Sequence, residues 1–189
     1  MMNKHEKALA ALRRAMENER DGYRFFLEAS EQSPDPAGQG TFRGLARDEE
    51  RHLALLLVEY DSLSAGEGWV DPEEAIKRKA EVDIAKPLFP GEEAAPQEKS
   101  PFEATFAAYD VGKLEGDLAV LEFGMKVEEE FYNMYKKAAA EIDDPQGRQA
   151  YEFLMKEENR HYKLLQDARN YLSDNKHWWD DWELPFFEG

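Results

Sequence analysis

Two short strings hold the residues that could do chemistry: Glu49-Glu50-Arg51-His52 and Glu158-Asn159-Arg160-His161, each with a carboxylate three positions before an imidazole. On a helix that spacing puts both side chains on one face. Each string also has a glutamate thirty positions upstream of its own, Glu19 and Glu128 respectively. Four carboxylates and two imidazoles form an oxygen and nitrogen donor set that accepts several first-row divalent metals. Two such ions would offset the four negative charges, and neutral imidazoles would fill the remaining ligand positions, so the composition fits a dinuclear site.

Location is what sets these six apart. Apolar residues recur at alternating steps of three and four along four segments, the seam of a bundle helix. The first seam is Leu9, Leu12, Met16, Tyr23 and Phe26, and the second Phe42, Leu45, Leu56 and Leu63. The third is Leu118, Leu121, Met125, Tyr132 and Tyr135, and the fourth Tyr151, Leu154, Leu165 and Leu172. Glu19, Glu49 with His52, Glu128, and Glu158 with His161 fall on these same seams. Burying an ionised carboxylate without a partner costs several kcal/mol, against a net domain stability of roughly 5–15 kcal/mol. The six therefore need protons, water or cations.

The chain repeats itself. Shifted by 109, residues 4–64 fall on 113–173, with matches that include Leu12/Leu121, Met16/Met125, Glu19/Glu128, Tyr23/Tyr132, Asp35/Asp144, Pro36/Pro145, Gly38/Gly147, Glu49/Glu158, Arg51/Arg160 and His52/His161. Each half reads as two helices around a breaker, Ser33-Pro34-Asp35-Pro36 in one and Asp143-Asp144-Pro145 in the other. Glu19 and Glu49 are each fifteen residues from Pro34, and Glu128 and Glu158 are each fifteen from Asp143. Residues equidistant from an antiparallel turn lie at one height, here on the order of 20 Å above it at 1.5 Å per residue.

These patterns predict an all-α single domain over 1–189, a four-helix bundle made of two duplicated helical hairpins. Hairpin one covers about 4–64, a long crossover 65–112, hairpin two 113–175 and an aromatic tail 176–189. Within the crossover, Asp71-Pro72-Glu73-Glu74 and Ser100-Pro101-Phe102-Glu103 each look like the start of a short helix. Trp178, Trp179, Trp182, Phe186 and Phe187 in the tail are expected to pack over the bundle or a partner subunit, which points to a homodimer. His5 and His177 are expected in surface or packing roles rather than as ligands.

Composition excludes other classes. Among 189 residues there is no cysteine, so disulfides, thiolate metal sites and cysteine nucleophiles are ruled out. The net charge of −17, from 41 acidic against 24 basic residues, disfavours nucleic acid and anionic membrane surfaces as partners. The first residues lack an apolar signal core, and the run from Leu53 to Val58 is far short of the roughly 20 residues of a membrane span. A soluble, unprocessed, cytoplasmic chain is expected.

The string Glu19, Glu49-Glu50-Arg51-His52, Glu128, Glu158-Asn159-Arg160-His161 resembles the ferritin-like di-iron carboxylate superfamily, and within it the diiron domain of the rubrerythrins. The resemblance spans both hairpins and implies a ferritin-like bundle. It makes Glu19 and Glu128 the outer carboxylates, Glu49 and Glu158 the metal-bridging ones, and His52 and His161 the terminal nitrogen ligands. The implied cofactor is two iron ions in an oxygen-bridged centre, with Mn or Zn able to substitute. Related di-iron proteins place an acid just before each bridging glutamate. Here these are Asp48, expected to accept from the ring N–H of His161, and Glu157, expected to accept from that of His52. For Tyr23, Tyr132 and Tyr135, ring packing is expected ahead of a hydrogen bond to a ligand or a redox role.

The chain departs from the pattern in two places. Full-length rubrerythrins carry a cysteine-ligated iron domain as electron relay, so a cysteine-free chain needs an external electron-donor protein. Peroxidase-type members have an additional glutamate three residues after the third-helix ligand, where this chain has Phe131, leaving a symmetric site closer to ferroxidase-like centres. The implied function is a di-iron oxidoreductase that reacts with O2 or hydrogen peroxide at a buried centre. The alternatives are an iron-handling or storage protein without turnover and a structural bundle holding Mn or Zn.

Overall fold

The computed structural model describes residues 4–78, 88, 114 and 116–179. It is all-α, a ferritin-like helical bundle built on four long helices: α1 (Lys4–Gln32), α2 (Pro36–Ser64), α4 (Asp117–Glu141) and α5 (Pro145–Asn175), with a short α3 (Pro72–Arg78) between α2 and α4. Among the described residues, no helix is long and apolar enough to cross a membrane.

Local chemistry sets the two hairpin turns. Asp35 caps α2 by accepting from the backbone N–H of Ala37 at 2.9 Å. Asp144 caps α5 by accepting from Gln146 at 2.9 Å and Gly147 at 3.2 Å. A proline at the first helical position follows each cap, where its fixed φ suits the helix and its missing N–H costs nothing. Asp71 opens α3 in the same way, accepting from Glu73 and Glu74. The second short helix expected at Ser100, the side chain of His5 and the tail aromatics from Trp182 onward lie outside the described residues.

Antiparallel α1 and α2 form one pair, α4 and α5 the other, and their apolar seams meet in a common core. Leu12, Met16 and Phe26 of α1, Phe42, Leu45 and Leu56 of α2, Leu121 and Tyr135 of α4, and Tyr151, Leu154 and Leu165 of α5 are buried. Phe25 meets Phe123 edge-on at 5.1 Å between α1 and α4. One seam assignment fails: Leu118 is exposed. It lies in the first turn of α4, where Val120, Leu121 and Phe123 supply the buried face instead.

A tryptophan closes each turn over a glycine. A Cβ on Gly38 would lie 2.3 Å from Ser33 Oγ and 2.9 Å from Trp178 Cε2, and one on Gly147 would lie 2.5 Å from Trp69 Cε2 and 2.6 Å from Ile142 Cδ1. Trp178 also donates to Asp117 Oδ2 at 2.6 Å and meets Phe42 edge-on, which ties the start of the tail to its own bundle. His177 beside it is exposed, with Nδ1 2.6 Å from the Trp178 carbonyl, and approaches no other described imidazole or metal-binding group.

Trp69 sits on a strap pinned by Ser62, which donates to the Gly68 carbonyl at 2.7 Å, and by Glu59, which accepts from Val70 N–H at 2.9 Å. From there Trp69 meets Tyr151 edge-on at 5.5 Å, and Tyr151 stacks on Tyr135 at 6.1 Å, so the strap reaches towards the bundle centre.

Gly38→Ala and Gly147→Ala should each destabilise the protein by about 1–3 kcal/mol, since the tryptophan and the turn must both shift to admit a methyl group. Denaturant unfolding measures this, and a Gly40→Ala control, where a Cβ meets nothing within 4 Å, should cost far less.

Glu59 gives a second expectation. Burial raises its carboxyl to about 7, helped by Asp71 and Asp144 and opposed by the Val70 N–H and Arg78. A carboxyl raised on folding contributes stability that is complete below about 4.5 and lost as pH rises through about 7. Glu59→Gln should remove this loss and exceed the parent in stability by roughly 1–3 kcal/mol at pH 8, with little difference at pH 4. Parallel unfolding curves at the two pH values would sink the expectation if the gap is the same at both.

Candidate metal centre

All six seam residues arrive at one place. Glu19 comes from α1, Glu49 and His52 from α2, Glu128 from α4, and Glu158 and His161 from α5, and none is more than 2 % exposed. They divide into two overlapping sets, Glu19, Glu49, His52 and Glu158, and Glu49, Glu128, Glu158 and His161, each offering ligand atoms within 4.8 Å of one another. Glu49 and Glu158 belong to both. His52 Nδ1 lies 3.4 Å from Glu19, 3.4 Å from Glu49 and 3.3 Å from Glu158. His161 Nδ1 lies 3.2 Å from Glu49, 3.5 Å from Glu128 and 3.6 Å from Glu158. The two rings stack at 5.4 Å.

The donor atoms fit a metal because so many are unsatisfied. Both oxygens of Glu49, Glu128 and Glu158, one of Glu19, and Nδ1 of both histidines are buried without a hydrogen-bond partner. Buried polar atoms are rarely left this way in folded proteins, and here they converge on a common space.

Electrostatics bears the same mark. Burial, with the charges of neighbouring carboxylates, raises Glu19 and Glu128 well above the usual range. Glu49 and Glu158 are held low despite burial, Glu49 by the neighbouring Glu19 and both histidines, Glu158 by the charge of His52 and the closeness of both imidazoles. Burial opposes charge on His52 and His161 too, but the surrounding carboxylates raise both. So much buried charge calls for protons or a cation, and a bound cation would displace the protons.

Behind the histidines lies a ring of opposite charges. Asp48 Oδ2 is 3.3 Å from His161 Nε2, a hydrogen bond that fixes the proton there and turns Nδ1 towards the carboxylates. The Glu157 carboxylate is 3.9 Å from His52 Nε2, an ion-pair contact too long for a hydrogen bond. Arg160 donates to both acids, at 2.9 Å to Asp48 and 3.0 Å to Glu157, and Arg51 donates to Asp48 at 2.6 Å. Burial works against ionised Asp48, yet the His161 hydrogen bond and the charges of His161, Arg51 and Arg160 hold it at about 2. Glu157 is held at about 2 by His52, against desolvation and with help from Arg160.

The tyrosines divide. Tyr135 is fully buried and donates its hydroxyl to Glu19, so the preference for packing alone is wrong there. Tyr23 and Tyr132 are half-buried against the core and the α4–α5 groove. Phe131 is buried, its ring 3.1 Å from where Gly22 would carry a Cβ, on the side of Glu49. The bridging roles of Arg51 and Arg160 had one signal in the sequence, their matched positions 109 apart.

The sequence model of the rubrerythrin family, described as rubrerythrin, matches residues 73–169. The chain belongs to the rubrerythrin family. The match includes Glu128, Glu158 and His161, while Glu19, Glu49 and His52 precede it and join the centre by geometry. No curated protein and no solved structure matches the chain. As a rubrerythrin-family protein with a buried carboxylate and histidine cluster, it has the features of a metal-binding protein.

An acid that orients a metal-bound imidazole typically changes metal affinity by roughly ten- to a hundredfold when removed. Asp48→Asn should weaken divalent-metal binding within that range, and Glu157→Gln by less, because its contact is longer. Competition against a chromophoric chelator measures both, and equal losses would refute the ranking.

Proposed function

We propose that this rubrerythrin-family chain is a di-iron oxidoreductase that reduces O2 or hydrogen peroxide with electrons from a separate donor protein. The observation that carries this reading is the pair of overlapping four-residue clusters sharing Glu49 and Glu158. Glu19 and His52 would complete one iron site and Glu128 and His161 the other, with the shared glutamates bridging. Bound iron would pass electrons from the donor to the oxidant, a two-electron task for which this chain has no thiol.

The chain's own work is positioning and exclusion. The four long helices hold the ligands at one height, and the apolar layers of Leu45, Leu56, Leu121, Leu154 and Leu165 surround them with dry core. Asp48 keeps His161 in one orientation, and the Arg160 guanidinium holds Asp48 and Glu157 together. Tyr135 holds a proton against Glu19. Phe131 keeps an apolar wall where a fifth carboxylate would make the two iron sites unequal in charge, which favours a ferroxidase-like balance.

Anaerobic Fe(II) titration should saturate near two ions per chain, as the two clusters imply. Glu49→Ala and Glu158→Ala, which strip a shared ligand, should lose both ions, whereas Glu19→Ala should lose mainly one. On mixing, the loaded protein should consume O2 or peroxide well over tenfold faster than free Fe(II). Consumption no faster than free iron would end the enzyme reading, and loading far above two ions per chain would assign the protein to iron handling.

A further inference from the structure

A cavity of about 180 Å³ between α4 and α5 is lined by Glu128, Glu129, Tyr132, Glu158, Asn159 and Tyr162. Two of these are fully buried carboxylates of the cluster whose oxygens have no hydrogen-bond partner. Glu129 and Asn159 are exposed and the two tyrosines half-buried, so the cavity leads from solvent to the cluster. A second, larger hollow of about 320 Å³ along the same helices shares Glu129 and Tyr162 and extends the groove outward. Lys136 lies over the face of Tyr132, 5.8 Å from the ring centre, and steadies that wall.

The matching face of the other hairpin is built differently. Positions 109 earlier carry Arg20 where α4 has Glu129, and Leu53 where α5 has Tyr162. Arg20 is 8 % exposed and Leu53 fully buried. The long Arg20 side chain and the buried leucine fill that face, whereas Glu129 is exposed and borders an open groove.

We infer that divalent cations reach the cluster through this opening between α4 and α5, with Glu129 as the first carboxylate to meet them and Glu128 and Glu158 the next. Each carboxylate replaces part of the hydration shell before the ion enters the dry centre, which removes the largest barrier to crossing an apolar core. The net charge of −17 attracts cations over the whole surface and so selects no route, while a carboxylate at the mouth of a narrow, low-dielectric groove focuses the field there.

This inference rests on the metal-centre reading, and stopped-flow uptake of Co(II) by the metal-free protein, followed by visible absorption, separates the two. A parent protein that takes up no Co(II) would defeat the metal-centre reading and this one with it. Given uptake, Glu129→Lys should slow it by roughly tenfold or more, and Glu129→Gln by less, with the final Co(II) content unchanged. Asn159→Trp should slow it similarly by filling the groove. Glu50→Lys, the same charge change at the position matching Asn159 on α2, should leave the rate within about twofold. Parent-like rates in Glu129→Lys, Glu129→Gln and Asn159→Trp, or equal slowing by Glu50→Lys, would overturn the route while leaving the metal centre standing.

Discussion

Six ionisable side chains meet at the centre of four helices with almost no exposure, and the surrounding structure is organised around making that tolerable. Desolvating even one such group costs several kcal/mol, a large fraction of what a domain of this size has in hand. The centre is therefore flanked by apolar layers on the same seams, which supply the burial energy the polar layer cannot. It also demands exact register. A slip of one residue on any helix would rotate its carboxylate by about 100° and out of the cluster. The caps at Asp35 and Asp144, the prolines after them, and the tryptophans wedged over Gly38 and Gly147 fix where each hairpin begins and hence where its ligands stand.

Charge is handled in layers of alternating sign. The four inner glutamates face the Nδ1 atoms of two imidazoles, whose Nε2 atoms face Asp48 and Glu157, which in turn face Arg51 and Arg160. The outermost layer is where solvent begins, with Arg51 exposed and Arg160 half-buried. Arginine suits this place because its planar fork can hold two acids at once, as Arg160 does with one acid from α2 and one from α5. The crossing matters mechanically too: Asp48 hydrogen-bonds and Glu157 approaches a histidine of the other hairpin, so the ring fastens the two halves together directly behind the ligands.

The parts legible in the sequence are those that a helix fixes locally. A helical period dictates apolar residues at the seam, so Glu19, Glu49, His52, Glu128, Glu158 and His161 stood out by violating it, and their equal distances from the turns placed them at one height. Asp48 came from the resemblance, as the acid just before a bridging glutamate, and it stands against His161. Tyr135 was not, because its hydroxyl meets Glu19 only through the lateral packing of α4 on α1, and nothing in the spacing of a single helix carries that information. Leu118 misled for a related reason: the period counts it as seam, but in the first turn of α4 the buried face is already supplied by its neighbours. The arginines were visible as a matched pair, yet what they bridge depends on the distance between α2 and α5.

The two halves follow one plan but do not give two equal sites. Tyr135 has Phe26 as its counterpart 109 positions earlier, so Glu19 is held by a hydroxyl while Glu128 has both oxygens unpartnered. Arg20 and Leu53 close the face beside Glu19, while Glu129 and Tyr162 border the groove beside Glu128. One outer carboxylate is thus hydrogen-bonded and enclosed, and the other has an ion-pair contact with His161 and lies beside the opening. A symmetric ligand set need not work symmetrically when its surroundings differ this much. The difference lies in three pairs of residues around the ligands, which is why a comparison of the ligand strings alone makes the halves look identical.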